Sequence, residues 1–211
     1  MNDDASEWVI PVFPEEEIPG ILHAVLRSLK GLRKTKPQEL ETGLNKRLRK
    51  SLGRDSELRD SPVEVDREKV LDDDDSDDEG RLDISFTFST ERRKPWPYFA
   101  IEAKRLHVMY KGRLHTQIPK YVTDRQGMMC FVDGRYSKGL ASAAMLGYVF
   151  DGNVAKARAA ISSSIQLNHS KLKTLPPHGL APSRYAIAEV DETRHNFDGR
   201  VFTLYHILSA V

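Results

Sequence analysis

Apolar and polar residues alternate through two stretches of the chain, RLDISFTFS (81–89) and PYFAIEAKRL (97–106). A period of two belongs to a β-strand whose faces meet different surroundings. In the first, Leu82, Ile84, Phe86 and Phe88 share one face, and Arg81, Asp83, Ser85 and Thr87 share the other. In the second, Phe99, Ile101 and Ala103 oppose Ala100, Glu102 and Lys104. The link TERRKPWP reads as a basic hairpin loop in which Pro95 and Pro97 interrupt pairing. Such a hairpin puts Asp83, Glu102 and Lys104 on one polar face, with the α-carbons of Glu102 and Lys104 roughly 6–7 Å apart. Acids and a base inside a sheet are costly unless something uses their charges.

The flanking sequence supplies the rest of a mixed α/β domain. Residues 1–14 read as an irregular tail, and 15–211 as a single domain. EEEIPGILHAVLRSLKGL predicts a helix, with Ile21, Leu22, Val25, Leu26 and Leu29 on one stripe and Glu15 to Glu17 at its positive end. A second helix is expected from Pro37 to Gly53, burying Leu40, Leu44, Leu48 and Leu52. PVEVDREKVL suggests a strand. The acidic run at 72–80, DDDDSDDEG, cannot pack and is expected to be an exposed loop; it lacks the spacing of an EF-hand. A helix is expected from about Thr116, with Pro119 in its first turn. GMMCFVDG reads as a strand, and SKGLASAAMLGYVFDG and NVAKARAAISSSIQLNHSKL as helices, the second capped by Asn153. RYAIAEVDE and RVFTLYHILSAV close the chain as strands. The order is α-α-β-β-β-α-β-α-α-β-β, a central mixed sheet flanked by helices.

Several function classes are excluded or disfavoured. No run approaches the roughly 18–20 apolar residues of a membrane span. The acidic start MNDDASEW does not resemble a signal peptide, so a cytoplasmic location is expected. The lone Cys130 rules out an intrachain disulfide framework or a cysteine zinc site and reads as a buried core thiol. There is no GxxxxGK[ST] phosphate loop and no recognisable sequence-reading module. The net charge of +1 conceals segregation. Residues 27–54 carry ten basic side chains against Glu39 and Glu41; 55–91 carry fifteen acidic against four basic; 104–138 carry eight basic against Asp124 and Asp133. Two basic blocks around an acidic one suit a phosphate-contacting surface about a carboxylate site, and equally suit solvated faces.

Two carboxylates and an ammonium on one sheet face fit metal-assisted phosphodiester hydrolysis. The carboxylates offer hard oxygens to Mg²⁺ or Mn²⁺, the cation activates water and offsets charge on phosphorus, and the lysine orients that water. GRLDISF…PYFAIEAKRL resembles motifs II and III of the PD-(D/E)XK superfamily, the fold of restriction endonucleases and of many repair, recombination and phage-defence nucleases. The resemblance covers roughly residues 37–150 and implies a restriction-endonuclease-like fold. It makes Asp83 and Glu102 metal ligands, joined by the Ala103 main-chain carbonyl, with Lys104 activating the attacking water. It also implies an acid on an early helix, best matched by Glu41, which reads equally as a surface-helix glutamate. Gln117 and Tyr121 resemble the Gln-x-x-x-Tyr element of the exonuclease branch, although Pro119 lies between them. The implied activity is Mg²⁺- or Mn²⁺-dependent cleavage of DNA, with RNA also compatible, in defence, restriction or repair.

Lys46, Arg47, Arg49, Lys50, Arg92, Arg93 and Lys94 are the expected backbone-binding residues. With little room for base readout, targeting by a partner protein is expected, and the oligomeric state, a homodimer included, is left open. The competing reading is a catalytically inactive nucleic-acid-binding or protein-interaction module that keeps the fold. His107 and His115 flank the triad without a needed role, and His195 and His206 read as structural or solvent-facing.

Overall fold

A computed structural model describes residues 13–66, 70–71, 80–88, 97–137, 140–197 and 199–211. A 3-10 turn at Glu15–Glu17 leads into α1 (Ile18–Lys30), followed by α2 (Glu41–Leu52) and the short α3 (Ser56–Arg59). Then come β1 (Val63–Asp66), β2 (Val70–Leu71), β3 (Gly80–Arg81), β4 (Ile84–Phe88), β5 (Tyr98–Leu106), β6 (Val108–Tyr110) and β7 (Arg113–His115). The chain continues through α4 (Ile118–Val122), α5 (Met129–Val132), β8 (Ser142–Val149), α6 (Val154–Leu167), β9 (Ala181–Pro182), β10 (Val190–Phe197) and β11 (Arg200–Ala210).

The central sheet has seven strands in the order β1-β4-β5-β8-β11-β10-β9. Its two inner pairings, β5 with β8 and β8 with β11, are parallel; the others are antiparallel. The apolar stripes of α1 (Ile21, Leu22, Val25) and α2 (Leu44, Leu48, Leu52) pack with Phe86, Phe99, Ile101 and Tyr205 on one face. Tyr121 and Val122 of α4, the α5 residues, and Ile161 and Ile165 of α6 pack with Ala100, Met145 and Leu204 on the other. The protein is thus α/β, a mixed sheet between helical layers, and among the described residues no helix is long and apolar enough to cross a membrane.

Four expectations change. SAAMLGYV forms the central strand β8, not a helix: from Ala143 to Val149 it is buried on both faces, so no alternation marks it and its Ala, Met and Leu mimic a helix. GMMCFVDG does not enter the sheet. Met128 N–H donates to the Tyr121 carbonyl at 2.8 Å, folding this segment back onto α4 and into the short α5. A Cβ at Gly127 would lie 2.4 Å from the Lys120 and Tyr121 carbonyl oxygens, so only glycine permits this approach. The last pair of strands begins at Val190, with RYAIAE in turns before it.

α2 starts at Glu41 rather than Pro37, because the buried Glu39 carboxylate accepts Thr35 N–H at 2.7 Å and holds the preceding residues as a turn. Leu40 consequently sits at the helix N-cap, 61% exposed and off the buried stripe. As expected, the Asn153 side chain caps α6 by accepting Lys156 N–H at 3.0 Å. Residues 1–12 of the expected N-terminal tail, 72–79 of the acidic run, and Arg92, Arg93 and Lys94 lie outside the described residues.

Candidate active site

The site begins where a strand leaves the sheet. The β4–β5 ladder runs from Thr87↔Tyr98 to Ile84↔Ile101 and stops, because the chain bends at Asp83, while β5 continues to Leu106 against β8. The β4-side edge of β5 beyond Ile101 therefore lacks a strand partner in this ladder. Buried backbone donors need acceptors, and here two carboxylates serve. Asp83 Oδ2 accepts Ala103 N–H at 2.9 Å, and Glu41 Oε1 accepts Arg105 N–H at 2.8 Å. The N–H and C=O of one residue in an extended strand point to the same edge, so the Ala103 carbonyl faces this gap as well.

Glu102 and Lys104, two residues apart, project to the same face and are 5% and 8% exposed. Lys104 Nζ donates to Glu102 Oε1 at 2.5 Å. Glu102 Oε2 is buried and has no hydrogen-bond partner among the described residues. Burial, with Asp83 and Glu41 adding to it against the opposing pull of Lys104, pushes the Glu102 carboxyl up to about 8. Burial also raises Asp83, against the Ala103 N–H and the Lys104 charge. Desolvation pulls Lys104 down, but Glu102, Glu41 and Asp83 together outweigh it and leave the ammonium firmly protonated.

One face of α2 organizes these groups. Asn45 Nδ2 donates to Asp83 Oδ1 at 2.8 Å, and the Tyr148 hydroxyl fixes that amide by donating to Asn45 Oδ1 at 2.8 Å. Arg49 donates to the Asp83 carbonyl at 2.7 Å. Glu41, Asn45 and Arg49 recur every four residues, so they line one side of the helix beside the leucine stripe. Asn45 and Tyr148 are absent from the sequence-derived site. The i, i+4, i+8 polar series was the available signal for Asn45; nothing local marks Tyr148, whose strand was read as a helix. On the opposite face, burial and then the Glu102 charge raise the Tyr136 hydroxyl to about 12 and the Cys130 thiol well above its usual value, which places both near the carboxylates.

The structure thus brings Asp83, Glu102, Ala103, Lys104 and Glu41 together, and Tyr121 packs one strand away, its hydroxyl 3.4 Å from the carbonyl of Met145, the β8 partner of Glu102. The Tyr121 hydroxyl is fully buried and lies 3.0 Å from His206 Nδ1, while Gln117 is the half-buried N-cap of α4 with φ +59°. Tyr121, His206, Thr193 and His195 form one buried chain of hydrogen bonds ending on the Leu172 carbonyl. Burial there lowers His195 to about 4 and His206 to about 3, so both are neutral structural groups. His107 Nδ1 lies 2.9 Å from both Asp151 oxygens at the junction of β5 and β6, and His115 is exposed. Among the expected phosphate-binding residues, Lys46 and Lys50 are exposed on α2. Arg47 is committed elsewhere: its guanidinium grips Glu39 through two bonds of 2.5 and 3.0 Å.

Among the described residues no three His, Cys, Asp or Glu side chains converge as a metal site by themselves. The donor set is instead two carboxylates and the Ala103 carbonyl. It fits Mg²⁺ or Mn²⁺, cations that use one or two carboxylates and keep several waters. Glu102 Oε2 meets no hydrogen-bond donor among the described residues, and beside Asp83 it can take either a shared proton or a cation. No protein-family model matches this chain, and no curated protein or solved structure matches it either.

Proposed function

We propose that this protein is a Mg²⁺- or Mn²⁺-dependent nuclease of the PD-(D/E)XK type that hydrolyses phosphodiester bonds in nucleic acid. The observation that carries the reading is a buried acid held at a cost: Glu102 Oε2 has no hydrogen-bond partner among the described residues, beside Asp83 and the Lys104 ammonium. Structural roles account for Asp83 and Glu41, which cap the open strand edge, but not for Glu102 and Lys104. The antiparallel β1, β4 and β5, followed by α4 and by β8 parallel to β5, suit a restriction-endonuclease-like core.

Asp83, Glu102 and the Ala103 carbonyl would hold the cation, which supplies an acidified water and charge neutralisation at phosphorus. Asn45, held by Tyr148, keeps the Asp83 carboxylate aimed at the site. Lys104, being protonated, acts as a hydrogen-bond donor that orients the nucleophile and opposes charge on the phosphoryl oxygens. It is not the base. Glu41 keeps Arg105 and the end of β5 in register. Targeting by a partner protein accords with so small a set of substrate-facing residues.

The test is cleavage of single- and double-stranded DNA and RNA with Mg²⁺, against EDTA, Glu102→Ala and Lys104→Ala. Wild type should cut only with the metal, and each substitution should lower the rate by about 10²-fold or more. Equal silence of wild type and variants on every substrate, with the natural partner supplied, would overturn the reading.

A further inference from the structure

Directly after the site strand, the chain makes a feature with no part in the chemistry above. Residues 108–115 form a two-stranded ribbon, β6 and β7, separate from the central sheet. Its two-residue turn, Lys111–Gly112, has φ of +47° and +73°, the handedness that a tight hairpin needs. The base is fixed: His107 N–H donates to the Thr116 carbonyl at 3.1 Å, and the His107 ring is held by Asp151. The ribbon is therefore anchored to the end of β5, four residues past Lys104.

Its surface is unusual for a solvated hairpin. Met109 is 45% exposed, Tyr110 49% and Leu114 39%, half of the large exposed apolar residues among those described. Met109 faces Leu114 across the ribbon, and Tyr110 faces Arg113. The Tyr110 ring stands edge-on to His115, with Lys111 Nζ 5.5 Å from its centroid. No Asp or Glu occurs between Glu102 and Asp124, whereas Arg105, Lys111, Arg113 and Lys120 do. The patch is thus apolar, aromatic and cationic without a nearby acid in sequence, a combination complementary to a polyanion carrying flat apolar rings. For reading base edges in a duplex groove the ribbon offers no amide side chain and the single guanidinium of Arg113. A tyrosine, a thioether and a leucine instead suit bases that are already out of a stack.

We infer that the β6–β7 hairpin is a docking surface for unpaired nucleic acid, Tyr110 stacking on a base while Lys111 and Arg113 hold the adjoining phosphates. This deepens the nuclease reading and rests on it for the substrate class: a single strand, or a duplex frayed beside the cleavage site.

The experiment measures fluorescence anisotropy of a labelled oligothymidylate and of a labelled blunt duplex against the full chain in EDTA, so that binding is read without cleavage. Tyr110→Ala should weaken single-strand binding about tenfold, as for the loss of one base–aromatic stack, and duplex binding by less. Tyr110→Phe should restore it. Lys111→Glu with Arg113→Glu should weaken binding and flatten its salt dependence. These side chains are exposed, and thermal melts of each variant should coincide with wild type. Unchanged single-strand affinity in Tyr110→Ala, equal losses on both ligands, no binding by wild type, or a self-association that Tyr110→Ala abolishes would each overturn the assignment. Hairpin-dependent binding without any Mg²⁺-dependent cleavage would sink the nuclease reading alone; cleavage with an indifferent Tyr110→Ala would sink only the hairpin.

Discussion

Glu102 should make the metal-free protein lose stability as pH rises, and Glu102→Gln should abolish that loss. Its carboxyl is pushed from an ordinary 4.5 up to about 8 by burial first and by Asp83 next. A folded-state pKa above the unfolded one means that the native protein binds the extra proton across that window. The contribution is fully present below about pH 4.5 and is lost as pH climbs through about 8. At about 1.4 kcal/mol per pH unit while the proton difference is complete, and half that at the end, the loss between about pH 6.5 and about pH 8 is on the order of 1–2 kcal/mol. His195 and His206, lowered to about 4 and about 3, have the opposite sign: their contribution is present above an ordinary 6.5 and lost as pH falls. Between about pH 6.5 and about pH 8 the two together add roughly 1 kcal/mol of stability, equally in both proteins, so only the difference between wild type and Glu102→Gln isolates the carboxyl. Urea denaturation of wild type and Glu102→Gln at the two pH values reads the difference, which corresponds to about 3–6 °C in Tm for a domain of this size. Millimolar Mg²⁺ competes with the proton for the same carboxylate, so it should stabilise wild type more at the higher pH and leave Glu102→Gln nearly unmoved. Parallel pH profiles for the two proteins would refute the strained-acid argument. Equal Mg²⁺ shifts in both would refute the metal's dependence on Glu102.

Two further substitutions separate site construction from ordinary folding. Asn45→Ala removes the donor to Asp83 Oδ1 and strands the Tyr148 hydroxyl. It should cost about 1–3 kcal/mol in urea denaturation and reduce cleavage, with Tyr148→Phe milder on both counts. Arg47→Ala should cost about 1–2 kcal/mol, because Glu39 is left buried, a figure kept low because Arg47 is itself over a third exposed. The Arg47 guanidinium and Thr35 N–H hold Glu39 down at about 2, so that contribution is present above an ordinary 4.5 and is lost only as pH falls toward 2. Single-strand affinity in Arg47→Ala should stay within about twofold of wild type at physiological salt, since its charge is already neutralised by Glu39; a larger loss would return Arg47 to the binding surface.

The amphipathic segments were legible without coordinates. Alternation in 81–89 and 97–106 identified β4 and β5, an apolar stripe identified α1, leucines every four residues identified the body of α2, and Asn153 marked the start of α6. The helices bury one face, and one-sided burial writes a period into the sequence; β4 and β5 are buried on both faces, but polar residues (Ser85, Thr87, Glu102, Lys104) on one of them keep the alternation. β8 is illegible because both of its buried faces are apolar, so it has no period, and its Ala, Met and Leu favour the wrong local structure. The β6–β7 hairpin was missed because its strands are three residues long and its turn is Lys-Gly rather than a strong turn dipeptide.

The site divides along the same line. Alternation alone placed Glu102 and Lys104 on one face of one strand, since two residues of extended chain fix that relation. It also put Asp83 on that same face, but the strand ends before Asp83, and only the tertiary structure turns its carboxylate into the gap to hold Ala103 N–H. What Glu41 touches was open in the sequence and follows from where α2 lies against the free edge of β5: its carboxylate accepts Arg105 N–H. Arg47 and Arg49, two residues apart and alike in sequence, part company for the same reason: one reaches Glu39, the other the Asp83 carbonyl. Spacing along an element is set by local backbone geometry and can be read from the chain. Which side chain meets which across elements depends on how helices dock on the sheet, a sum over many long-range contacts that no local pattern records.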